Sequence, residues 1–105
     1  MKYEDVLSMV DEIGLPYAYD HFAEGEVPDT PYVVFLFPAS DNFSADGRVY
    51  CKINELNIEM YSDIKDPESE ELIEAVLDEH GLFYQKTETW IDEEKLYEVL
   101  YEMEV

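Results

Sequence analysis

The chain has 105 residues, of which 27 are Asp or Glu and 6 are Lys or Arg, giving a formal net charge of -21 at pH 7, yet 47% of its residues are hydrophobic. That length suits one domain with a single core, and the apolar content sets it apart from disordered acidic chains, which bury too little surface to offset the entropy of ordering. The charge argues against nucleic acid or anionic lipid as the main partner, because phosphate binding depends on Lys and Arg.

The lone Cys51 leaves no internal disulfide, and no basic leader or long apolar run marks a signal peptide or membrane span, so the chain reads as folding in a reducing cytoplasm without a membrane partner. The charge is also uneven: residues 1–30 carry a net -7, residues 31–60 a net -2 with Arg48 and Lys52 among them, and residues 61–105 a net -12. A nearly neutral middle lies between two acidic flanks.

Tyr3, Val6, Leu7, Val10 and Ile13 recur at helical spacing, and Gly14 and Pro16 stop the pattern, which predicts an amphipathic helix over 3–13. The aromatic segment Tyr17 to Phe22 reads as a short strand with His21 in it, followed by a loop at Gly25, Pro28 and Pro31. Tyr32 to Phe37 is an unbroken β-branched and aromatic run between Pro31 and Pro38, which suits a strand buried on both faces. Residues 38–50 are polar and turn-prone, with Asp46 and Gly47 a strong turn pair, so a projecting hairpin arm is expected there.

From Tyr50 to Tyr61, Leu56, Ile58 and Met60 alternate with Glu55, Asn57 and Glu59, giving a long strand with one buried face after an irregularity near Ile53 and Asn54. Asp66 followed by Pro67 opens a second helix, with Leu72, Ile73, Val76 and Leu77 as its apolar stripe, Glu68, Glu70 and Glu71 suiting its positive end, and Gly81 as its stop. Leu82 to Ile91 and Leu96 to Val105 form a closing strand pair. A helix through Leu96, Val99, Leu100 and Met103 is the rival for the last segment, disfavoured by its Tyr and Val content. The order is α-β-β-β-α-β-β in one domain spanning 1–105.

Catalytic and metal chemistry finds little footing, and no cofactor is expected. Asn42, Ser44, Asp46 and Gly47 match the start of a calcium loop, but Ile53 stands where its bidentate Glu belongs, so a polar turn is the better reading. His21 and His80 lack companions at metal-ligand spacing; His80 suits a helix C-terminus. Cys51 reads as a small core residue with no neighbouring base, and no Ser stands in a nucleophile-elbow setting. Nine Tyr divide between the core and surfaces that pair an apolar body with a wet hydroxyl.

Pro31 to Phe37, Phe43-Ser44-Ala45-Asp46-Gly47-Arg48-Val49-Tyr50, Ile58 to Tyr61, and Tyr84-Gln85-Lys86-Thr87-Glu88-Thr89-Trp90-Ile91 through Lys95 occur in an order that resembles small tail proteins of siphophages and prophages, of the tail-terminator or tail-completion type. In that pattern Asn commonly stands where this chain has Gly47, and both residues tolerate positive φ. The resemblance implies a structural, non-enzymatic α+β subunit: a single mostly antiparallel, mixed sheet with two helices on one side. It also implies a homo-hexameric ring in the virion tail that caps the tail-tube protein and meets the head-connector proteins, assembled in the host cytoplasm.

A ring needs a heterologous interface, which a hairpin and an exposed sheet edge would supply; the candidate interface residues are Phe43, Asp46, Gly47, Arg48, Tyr50, Lys52 and Trp90. DNA would pass the lumen without specific binding, repelled by its carboxylates. Two rivals compete: an acidic DNA mimic that inhibits a nucleic-acid-binding protein, and, ranked last, an enzyme using paired carboxylates.

Overall fold

Helix α1 (Tyr3–Asp11) buries Val6 and Val10 of the predicted stripe together with Met9 beside them, while Tyr3, at the start of that stripe, is 44% exposed. Gly14, at φ +87°, turns the chain after Ile13 has added its buried side chain. The computed structural model describes residues 1–45 and 47–105, with only the backbone considered for 43–45 and 48–51.

Strand β1 (Tyr17–Tyr19) pairs in parallel with β2 (Tyr32–Leu36). The expected strand through Phe22 stops at Tyr19, because Asp20 takes a left-handed backbone (φ +63°) and His21 N–H donates back to the Tyr19 carbonyl at 2.7 Å. His21 is therefore a loop residue, exposed, with its ring Nδ1 2.9 Å from Asp20. A parallel neighbour obliges the intervening chain to return across the sheet, and here Phe22 lies edge-on to Tyr32 with ring centroids 5.4 Å apart. Val33, Val34 and Phe35 are consequently all buried, as the uninterrupted apolar run requires.

The polar segment folds as a hairpin of β3 (Phe43–Ala45) and β4 (Arg48–Cys51), forming a two-stranded sheet of its own. The irregularity expected near Ile53 and Asn54 is a complete break, after which β5 (Glu55–Ser62) enters the main sheet. Cys51 thus belongs to the hairpin, and its side chain lies outside the described residues.

In β5 the alternation is realised fully: Leu56, Ile58, Met60 and Ser62 are buried, and the intervening positions are half-exposed. Helix α2 (Pro67–Glu79) starts on Asp66, whose carboxylate accepts the Ser69 N–H at 3.1 Å, and it ends before Gly81 at φ +67°. Its buried face runs through Ser69, Glu70, Ile73, Val76 and Leu77; Leu72, expected on that stripe, is 47% exposed, and Glu70 occupies the adjoining inward position.

Strands β6 (Tyr84–Ile91) and β7 (Leu96–Glu104) close the fold, so the last segment is a strand and not a helix. The five-stranded sheet runs β1-β2-β5-β7-β6, antiparallel except for β1 and β2. The inward residues of β2, β5 and β7 form one core with the buried residues of both helices, which places the two helices on the same face. The architecture is the expected α+β arrangement of a single mixed sheet with two helices on one side.

Candidate functional site

The hairpin is tied to the sheet by backbone bonds at its base. Asp41 N–H donates to the Ile53 carbonyl at 2.8 Å, Glu55 N–H donates to that of Ala39 at 3.0 Å, and the Asn42 side-chain oxygen accepts the Ile53 N–H at 3.2 Å. Asn42, the first residue of the calcium-like pattern, therefore splints the two stems. Gly47 is exposed at φ +74°, the left-handed conformation expected of the turn. Lys52 is exposed just beyond β4. Asp46 lies outside the described residues, as do the side chains of Phe43, Arg48 and Tyr50.

Trp90 stands apart from this group. It pairs across the ladder with Tyr97, itself opposite Ser62 at the far end of β5, whereas the hairpin leaves the sheet beside Leu36 and Glu55. Seven strand steps at about 3.3 Å each separate the two ends. The sequence candidates thus divide into a hairpin group and one aromatic on the outer strand. Trp90 is 43% exposed, packs at 4.7 Å on Tyr97, and donates its indole N–H to Asp92 at 3.3 Å.

Among the described residues, a cluster of ion pairs joins α2 to β6 and β7 that no local sequence pattern marks. Glu70, 3% exposed in its side chain, has its Oε1 2.7 Å from Lys86 Nζ, and its Oε2 is approached at 2.7 Å by Lys65, off the geometry of a directed hydrogen bond. Lys86 also meets Glu74 at 2.8 Å, Lys65 reaches Glu88 at 2.6 Å, and the buried Tyr101 hydroxyl donates to Glu74 at 2.8 Å. Burial alone would raise the Glu70 and Glu74 carboxyls; the ammonium groups beside them, and for Glu74 the Tyr101 hydroxyl, outweigh it and hold both below the ordinary value. For Tyr101, burial first and the Glu74 carboxylate second push the phenol upward. Every member of the cluster already has a partner, which makes it a clamp of α2 on β6 and β7.

The face opposite the helices carries a second acidic group. Glu59 lies on β5 between Val34 of β2 and Leu100 of β7, and its carboxyl is raised by burial, then by the nearby charges of Glu98 and Asp20. Tyr61 donates its hydroxyl to Glu98 at 2.9 Å and stacks on Tyr32 at 5.5 Å. A shallow hollow of about 230 Å³ lies there, bordered by His21, Phe22, Val27 and Glu94. A wider groove of about 630 Å³ runs between Glu55, Glu102 and Glu104 and the α2–β6 turn, where Phe83 is 80% exposed.

Among the described residues, His80 caps α2 with its Nε2 2.8 Å from Glu12, linking the ends of the two helices. Among the described residues, no three His, Cys, Asp or Glu side chains gather as a metal set, and no helix is long and apolar enough to cross a membrane. No protein-family model matches the chain, and no curated protein matches it.

Proposed function

We propose that this chain is a structural subunit of a phage tail, a ring-forming terminator or completion protein that caps the tail tube and joins it to the head connector. The observation that carries the reading is the β3–β4 hairpin, which pairs with itself as a separate two-stranded sheet while its stems are splinted to the main sheet. A rigidly rooted arm of this kind suits reaching a neighbouring subunit, and its segment holds Arg48 and Lys52 in a chain with few cations. Acceptor carboxylates for such cations are abundant in a chain with 27 Asp and Glu and a charge of -21. A heterologous contact of arm to acidic flank closes into a ring when its rotation divides the circle. The role is non-enzymatic, and the acidic walls of the ring repel the phosphates of passing DNA.

Purified protein mixed with polymerising tail-tube protein is expected to arrest tube growth and to appear as a ring at one tube end in negative-stain images, and phage lacking it should make tubes of uncontrolled length. Tubes of normal length without the protein would overturn the reading. Salt-sensitive capture of a basic nucleic-acid-binding protein, with no affinity for tubes, would replace it with the DNA-mimic role.

A further inference from the structure

We propose that the free protein dimerises through β6, pairing antiparallel with β6 of a second copy about a two-fold axis at Thr87. Strand β6 is an outer strand of the sheet, eight residues long, and Gln85 to Trp90 are all exposed. Its ladder with β7 runs through eight consecutive pairs without a bulge, so nothing in it twists the outer edge away from a partner. Edges of this kind are commonly protected by charge, which works by setting like charges opposite one another in any pairing. The order of residues along β6 does the reverse.

Antiparallel pairing joins residues that share a sheet face and a hydrogen-bonding direction, so the axis of a self-pair must pass through a residue position and not between two. Centring it on Lys86 sets Lys against Lys, and centring it on Glu88 sets Glu against Glu. Centring it on Thr87 sets Lys86 opposite Glu88 twice, Gln85 opposite Thr89 twice and Tyr84 opposite Trp90 twice, with Thr87 facing its own copy. This register sets no like charges opposite one another and matches polar side chains and aromatic rings, the cross-strand combinations that stabilise sheets. Lys86 keeps Glu70 and Glu74, and Glu88 keeps Lys65, as partners within each copy. The eight residues of β6 carry one cation and one anion and are therefore neutral within a chain of charge -21. The strand itself thus sets no net charge against a second copy. Joining two sheets by β6 gives one continuous ten-stranded sheet with both helical layers on the same side.

This contact is independent of the ring. A two-fold axis makes an assembly with identical ends, whereas a ring that meets a tube on one side and a connector on the other is polar. The β6 pair belongs to the free protein, where it covers Trp90 and the open edge.

Sedimentation equilibrium or light scattering of the purified full chain is expected to show a concentration-dependent step from 12.3 kDa to twice that mass. Thr87 is exposed on the face opposite the helices, so Thr87→Lys and Thr87→Glu should leave the circular dichroism and the thermal midpoint unchanged while each raises the dimer dissociation constant about fivefold, the effect of like charges set directly opposite. An equimolar mixture of the two variants should recover the dimer, which a loss of folding would not allow. A monomer at every concentration overturns the proposal. So does a dimer or hexamer whose mass neither variant changes, an outcome that leaves the ring reading standing.

Discussion

Glu70 is where a single side chain governs the most. Breaking a buried ion pair by removing one partner costs roughly 3–5 kcal/mol, because the remaining charge is stranded, while an exposed pair contributes roughly 0–1 kcal/mol. Glu70 is 3% exposed and Glu88 is 40% exposed, and both are bonded to Lys65. Glu70→Gln is therefore expected to lower the unfolding free energy by about 3 kcal/mol in urea titration, and Glu88→Gln by less than about 1 kcal/mol. Equal losses would show that the clamp is solvated and that the two carboxylates are equivalent. The sequence offered half of this arrangement. Glu70 precedes Ile73 and Leu77 at helical spacing, so its place on the buried stripe was legible, but a glutamate in the first turn of a helix also suits the dipole, and that reading was the simpler one. The cations that make its burial tolerable lie outside the helix, at Lys65 before the cap and Lys86 on β6, and no local pattern connects them.

Within α2 the same ambiguity explains the misplaced Leu72. Leu72 and Ile73 are adjacent, so a helix cannot point both directly inward, and the structure turns Ile73 to the sheet with no exposure and Leu72 to solvent at 47%. Ile73→Ala should cost about 3 kcal/mol through lost burial and the cavity it leaves, whereas Leu72→Ala should shift stability by less than about 0.5 kcal/mol; comparing their thermal midpoints checks the orientation. Elements with one dominant period were readable in full. β5 alternates without exception, β7 alternates apart from Leu100, and Leu100 is accommodated half-buried on the far face opposite Glu59 and Thr87. The length of β1 was not readable, since aromatic residues continue through Phe22 and the strand is ended by a left-handed Asp20, a conformation that a non-glycine residue does not advertise. The hairpin was marked by its turn residues, but that Trp90 lies at the other end of the sheet follows only from strand order and register, which are long-range properties.

For the molecule as a whole, charge sets stability in two opposing ways, and their balance is measurable. Among the described residues, Lys65, Lys86 and Lys95 pair with carboxylates of their own chain, and with 27 Asp and Glu against 6 Lys and Arg most of the acids face solvent and one another. Such repulsion acts over distances comparable with the Debye length, about 8 Å in physiological salt and about 3 Å at 1 M, while the Glu70 pairs are buried and screened far less. Added sodium chloride should therefore raise the thermal midpoint. Lowering the pH from neutrality acts first in the same direction: Glu59 holds its proton more tightly in the folded chain than in the unfolded one, so protonating it favours folding and relieves its repulsion with Glu98 and Asp20. Glu70 and Glu74 work with the opposite sign. Their folded carboxyls lie below the ordinary value of 4.5, so the stability they contribute is complete above that value and is lost as the pH falls through the lower folded values. The midpoint is thus expected to climb as the pH is lowered from 7 toward about 5 and to fall below about 4. Thermal denaturation across that range, at low and high salt, separates the two contributions, because salt should damp the part of the climb that comes from the repulsion of Glu59 by Glu98 and Asp20 and leave the acid-side fall of the buried clamp in place. A midpoint that declines steadily from neutrality would mean that the ion pairs, and not the mutual repulsion of the acids, dominate the response of the fold to pH.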